Sequence, residues 1–164
     1  MNNYILVGKI INTFGIKGEL KILSDFEFKK NIFIKDFPLY IGEEKIKEIV
    51  NTYRVHKNYD LILFEGYTNI NEILKYKNSK IYIKREDLKL KKNEYLLQDL
   101  IGFNVCDKEV EIGNVIDYEL TPNNVLLKIK GIKTFYIPLH SSYVINIDLK
   151  RRVIFTNNGG DLII

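Results

Sequence analysis

The chain has 164 residues, 46% of them hydrophobic, with a net charge of +4 and one cysteine, Cys106. That is enough for one compact domain or two small ones, and it excludes an intramolecular disulfide and a cysteine metal cluster. No run reaches the ~20 apolar residues of a membrane span and MNNYILVGKI lacks the pattern of a signal peptide, so a cytoplasmic protein with no membrane partner is expected.

The charge is unevenly placed. Residues 1–90 carry 16 Lys/Arg against 12 Asp/Glu, and residues 91–164 carry nine of each. The two halves are therefore expected to meet different partners. Alanine, the best helix former, is missing, while Ile, Tyr and Phe are plentiful, which favours strands.

In chain order, Val7 to Asn12 is an apolar, β-branched run. Gly15 and Gly18 bracket Ile16-Lys17, and Glu19-Leu20-Lys21-Ile22 alternates. This reads as strand, turn, strand, with Leu20 and Ile22 facing inward. The glycines supply the turn, and three lysines (Lys9, Lys17 and Lys21) ride on the hairpin. Ser24 to Asp36 reads as a loop or short helix. Pro38 to Ile41 and Ile46 to Val50 form a second hairpin. Asp60 to Glu65 is a buried strand, Thr68 or Asn69 caps a short helix with Ile70, Ile73 and Leu74 on one face, and Lys80 to Lys84 is another strand.

Residues 85–93, REDLKLKKN, read as a linker between a domain at 1–84 and one at 94–164. Strands are predicted at Phe103 to Cys106, Glu109 to Glu119 with a bulge at Gly113, Val125 to Ile129, Thr134 to Ile137, Tyr143 to Ile147 and Arg152 to Phe155. Thr121-Pro122-Asn123-Asn124 is a turn, where asparagine tolerates a left-handed backbone. Short strands at this spacing argue for a barrel or sandwich.

Several residues carry weak chemical signals. His56 and His140 stand alone, without the spacing of a metal site. Gly15-Ile16-Lys17-Gly18 lacks the P-loop spacing. Asp117 and Glu119 share a strand face, but a solvated face is the simpler reading, and Cys106 reads as a small strand hydrophobe. No catalytic residue, cofactor or metal is expected. Lys9, Lys17 and Lys21 are suited to phosphate contacts, which would be independent of sequence and would weaken with salt. Tyr40, Tyr53, Tyr59, Tyr67 and Tyr82 are read mainly as packing. At the linker end, Tyr95 and Leu96 are the best candidates for a protein contact, with Leu97 in the core.

VGKI-x3-FGIKGELK resembles the N-terminal signature of the RimM family of bacterial ribosome maturation factors. Glu94-Tyr95-Leu96-Leu97-x-Asp99-Leu100-Ile101-Gly102, Ile112-Gly113-Asn114-Val115, Thr121 to Leu126, Ile137-Pro138-Leu139 and Val144 to Leu149 resemble the elements of that family's PRC barrel. The resemblance implies a mainly β protein: a translation-factor-like barrel followed by a PRC barrel. It implies a non-enzymatic factor that binds the immature small subunit near its head, through 16S ribosomal RNA and ribosomal protein nineteen, and aids rRNA processing. Lys9, Lys17 and Lys21 would then be rRNA contacts, and Tyr95 with Leu96 the protein contact. Many members have two adjacent tyrosines where this chain has Tyr95-Leu96, and an acidic residue where it has Asn124. A monomer is expected. The alternatives are a generic RNA-binding barrel and an enzyme using the cleft between the barrels.

Overall fold

The computed structural model describes residues 3–163 and falls into two compact units, the first ending at Lys89 and the second starting at Leu90. The first holds strands β1 (Tyr4–Phe14), β2 (Glu19–Leu23), β3 (Pro38–Ile41), β4 (Ile46–His56), β5 (Tyr59–Phe64) and β6 (Lys80–Lys84), with a helical turn α1 (Lys29–Ile32) after β2. Every neighbouring pair is antiparallel, in the order β1-β2-β5-β4-β3-β6. Because β6 pairs with both β3 and β1, the sheet closes on itself.

Alternation decides which side chains fill the ring. Leu20, Ile22, Ile62, Phe64, Ile81 and Ile83 point inward and are at most 1% exposed. Burying a side chain of this size contributes about 1.5–3 kcal/mol. The register slips at Leu6/Gly8, Ile10/Asn12 and Val50/Thr52, and such bulges bend and twist a sheet. At the β1–β2 turn Gly18 adopts φ +102°, and a Cβ there would sit 3.2 Å from the Asn69 carbonyl. The turn is thus seated on the segment after β5.

That segment departs from the expected α-helix. Asn69 does cap it: its side chain accepts from the Asn71 and Glu72 amides at 3.0 and 3.3 Å, while Glu72 accepts from the Asn69 amide at 3.1 Å. Beyond the cap the chain winds as two 3-10 turns, Ile70–Glu72 and Leu74–Tyr76. Their period of three aligns Ile70, Ile73 and Tyr76. Tyr76 therefore takes the buried place expected for Leu74, which is 48% exposed.

A buried carboxylate joins this packing. Asp60, 4% exposed, accepts from Lys29 Nζ at 2.9 Å and from the Tyr53 hydroxyl. Burial first, and the bond to Asp60 second, push the Tyr53 phenol up to about 12.

The second unit contains β7 (Asn104–Asp107), β8 (Val110–Leu120), β9 (Val125–Lys130), β10 (Thr134–Pro138), β11 (Val144–Asp148) and β12 (Val153–Thr156). Their order is β10-β9-β8-β7-β12-β11, with β12 and β7 parallel and the other pairs antiparallel. The expected second barrel is an open six-stranded sheet in its hydrogen bonding: among the described residues no ladder joins its edges, β10 and β11. It covers a core that includes Leu100, Phe103, Val105, Leu127, Ile129 and Ile154. The bulge expected at Gly113 is present as a register shift opposite Val105/Cys106. The 121–124 turn owes its form to Thr121, whose hydroxyl donates to the Asn124 carbonyl at 2.8 Å and accepts from the Asn124 amide at 3.0 Å. Neither Asn123 nor Asn124 uses the left-handed backbone that asparagine tolerates.

This packing has two measurable outcomes. A Cβ at Gly113 would lie 2.6 Å from the Lys130 carbonyl, and φ is +153°. Gly113→Ala should therefore cost about 2 kcal/mol and lower the melting temperature of this unit by roughly 10 °C; a shift below about 2 °C would refute the contact. In the first unit the raised Tyr53 pKa favours the neutral phenol in the folded state. Its stabilising effect is complete below the ordinary value of 10.0 and is lost as pH rises toward about 12. A ring-carbon NMR titration should place Tyr53 near 12, and Asp60→Asn should lower that value. An unchanged titration in Asp60→Asn would refute the hydrogen bond.

Candidate nucleic-acid interface

The three hairpin lysines take different places along the β1–β2 ladder. Lys9 is exposed near the middle of β1, between Leu23 of β2 and Lys80 of β6. Lys17 is exposed at the tip of the β1–β2 turn beside Ile16, which is 81% exposed. Lys21 pairs with Leu61 of β5, whose other neighbour is Arg54 of β4. Its ammonium stands 3.7 Å from the centroid of the Tyr59 ring. Lys9 thus lies on β1 between β2 and β6, Lys21 on β2 between β1 and β5, and Lys17 at the tip of their turn.

Charge on the β2–β5–β4 side is largely engaged. The Arg54 guanidinium grips both oxygens of Glu19, at 2.9 and 2.8 Å, a forked geometry suited to a carboxylate. This bond first, and the charge of Arg54 with it, hold the Glu19 carboxyl below its usual range. Phe14 lies against Arg54 and against His56, with ring centroids 4.9 Å apart. His56 is therefore an aromatic contact on this side. Lys29, likewise, is tied to Asp60.

The opposite side carries a cluster that reading the sequence did not assemble. Tyr4, Tyr40 and Tyr82 come together on the outer face of β1, β3 and β6, with Lys45 and Lys84 over their rings. The Lys84 ammonium is held above its ordinary value, first by Tyr40 beside it. The run Lys80-Ile81-Tyr82-Ile83-Lys84 signals that Tyr82 shares a face with two lysines. Nothing local signals that strands far away in sequence bring Tyr4 and Tyr40 beside it.

In the second unit Tyr95 is half-buried and packs on the core, and burial pushes its phenol up. Leu96 is 1% exposed and Leu97 is the half-buried one, the reverse of the roles expected for them. The backbone explains this. Leu96 is extended (φ −85°, ψ 143°) and precedes the 3-10 turn Leu97–Leu100, with the Asp99 carboxylate accepting from its amide at 3.3 Å. In an extended backbone consecutive side chains point to opposite sides, so Tyr95 and Leu96 cannot share one surface.

The remaining signals are local. His140 Nδ1 lies 3.0 Å from the Ser142 hydroxyl. Glu119 accepts from the Tyr136 hydroxyl at 3.1 Å, and Asp117 lies opposite Lys128. Cys106 is half-buried on β7. Among the described residues no three His, Cys, Asp or Glu side chains converge as metal ligands, and no helix is long and apolar enough to cross a membrane.

Comparison with known proteins gives this layout its context. Residues 5–88 match the RimM N-terminal domain and residues 97–160 match the RimM PRC barrel domain. Over 153 residues the chain is 38% identical to the ribosome maturation factor RimM of Staphylococcus haemolyticus and 39% identical to that of Staphylococcus aureus, covering 90% of this chain and 92% of each relative. The crystal structure of a 16S ribosomal RNA processing protein RimM from Pseudomonas aeruginosa aligns over 96% of this chain and 99% of that one, at 20% identity and a TM-score of 0.44. With both domain matches in order along one chain, and relatives that match across nearly its whole length, the chain belongs to the RimM family of ribosome maturation factors.

Proposed function

We propose that the chain is a non-catalytic, cytoplasmic, monomeric factor that binds the immature small ribosomal subunit near its head and aids 16S ribosomal RNA processing and subunit assembly. The observation that carries this reading is the paired match, an N-terminal RimM domain followed by a RimM PRC barrel domain, in a chain 38% identical to a named ribosome maturation factor.

The charge distribution supports a division of labour. The positive excess lies in residues 1–90 and none is left in residues 91–164. The first domain is accordingly the one to meet rRNA phosphates, through lysines such as Lys9, Lys17 and Lys21, with contacts that weaken as salt rises. The second domain docks ribosomal protein nineteen, with Tyr95 as anchor: a half-buried aromatic that presents part of its ring is the kind of residue on which binding energy concentrates. Leu96, being buried, is not part of that contact. Two modest contacts joined in one chain raise each other's effective concentration, so neither has to be tight alone.

Sedimentation with purified subunits tests the reading. The full chain is expected to travel with immature small subunits and to stay behind with mature ones. Equal association with both, or equal affinity for unrelated RNA at matched salt, would contradict it and favour a generic RNA-binding protein. Tyr95→Ala, shown folded by its circular dichroism, should weaken binding to isolated ribosomal protein nineteen about tenfold or more. Wild-type affinity in that variant would remove Tyr95 from the contact.

A further inference from the structure

The outer face formed by β1, β6 and β3 gathers three tyrosines from strands far apart in the chain. Register places Tyr4 against Lys84 and Leu6 against Tyr82 across β1 and β6, and Tyr82 against Tyr40 across β6 and β3. The Tyr4 and Tyr40 rings meet edge to face, centroids 5.3 Å apart. Two ammonium groups rest on this cluster. Lys45 Nζ is 4.1 Å from the Tyr82 centroid and 5.6 Å from that of Tyr4, while Lys84 Nζ is 5.1 Å from that of Tyr40. Lys45 reaches the rings from the β3–β4 turn, where its φ is +54°.

The strands of the cluster carry only positive charge, while the exposed Glu43 and Glu44 precede Lys45 in the β3–β4 turn, where the Lys45 ammonium donates to the Glu43 carbonyl at 3.3 Å. Lys47 lies opposite Tyr40 across β3 and β4, and Lys80 lies opposite Lys9 across β6 and β1. Strands β1, β3 and β6 contain no aspartate or glutamate. Among the described residues, the ion pair formed by any of these lysines is that of Lys84 with Glu86, at 4.0 Å. On the other flank Glu19 occupies Arg54 and Asp60 occupies Lys29, while Lys21 rests on the Tyr59 ring.

We propose that this face binds the phosphate backbone of RNA, with Lys45 and Lys84 as the principal phosphate contacts and the tyrosine cluster as their seat. The proposal rests on the rRNA-binding reading above and deepens it, since it moves the main contact from the hairpin to the β1–β6–β3 face. Tyr40 is 6% exposed and cannot stack on a base. The rings instead act as positioning groups: a ring face attracts an ammonium, and a side chain already held in place loses less freedom when it meets a phosphate. A polyanion fits the lysines of these strands, which hold no carboxylate of their own. Contacts of this sort are sequence-independent, as a factor recognising a folded RNA surface requires.

The test uses the full chain and a single-stranded RNA oligonucleotide of mixed sequence, with affinity followed across a KCl series. The Lys45→Gln/Lys84→Gln variant should bind several-fold more weakly, and the slope of log affinity against log salt should fall by about 1.4, for two lost phosphate contacts. Tyr82→Phe should keep wild-type binding and Tyr82→Leu should lose part of it. A double variant with wild-type affinity and slope overturns the proposal. So does a polyglutamate of matched charge that competes as well as RNA, which would assign the face to an acidic protein. The same proteins are then sedimented with immature small subunits. A wild type that binds the oligonucleotide and misses the subunit sinks the maturation reading and leaves this face standing. A double variant that binds the subunit with the wild-type salt slope sinks this face and leaves the maturation reading.

Discussion

The surface of the first domain depends on one constraint: β6 hydrogen-bonds to β1 along one edge and to β3 along the other. Five residues do this. Ile81 and Ile83 turn into the ring and are fully buried, which forces Lys80, Tyr82 and Lys84 outward. Closure also brings Tyr4, from the start of the chain, beside Tyr40. A ring has no free edge for another strand to join, so partners are left with its outer side chains and turns. The outer side chains differ around the ring. On one side Glu19 engages Arg54 and Tyr59 seats Lys21, and on the other three tyrosines gather under Lys45 and Lys84.

The second domain solves its packing differently. Its sheet is open, with one parallel pair, β12 and β7, at the join between its two antiparallel parts. The long strand β8 can run past β9 because Gly113 and Gly131 let the two backbones approach more closely than any side chain allows. Equal numbers of acidic and basic residues leave this domain without an electrostatic reason to seek RNA. Its distinctive offering is a partly buried aromatic at its entrance, Tyr95, held against a rigid core. The two domains of this family member thus present two kinds of surface.

Much of this was legible in the sequence. Period-2 runs placed nearly all the strands, because a half-buried strand writes its burial directly into alternation. The family resemblance rested on short motifs at both ends of the chain, and the domain matches cover both. The misreadings have physical causes. Ile70, Ile73 and Leu74 suit an α-helix, but the short segment winds as 3-10 turns and substitutes Tyr76 for Leu74. The strand expected at Ile46 to Val50 continues to His56, where it stays paired with β5 up to Tyr59. Asp60 looked like the edge of an apolar run, whereas it is a buried acceptor. The roles of Leu96 and Leu97 were exchanged because a turn boundary shifts which side chain points inward. The tyrosine–lysine cluster was the least legible feature, since its members come from β1, β3, β6 and one turn, and register alone brings them together.

The central claim is that the two domains divide their partners, RNA to the first and protein to the second. NMR of the isotopically labelled full chain tests it most directly. Addition of a small-subunit rRNA fragment should shift backbone amides of residues 3–89, and addition of ribosomal protein nineteen should shift those around Tyr95 in residues 90–163. Shifts from both ligands falling on the same domain, or RNA shifts confined to the second domain, would contradict the division.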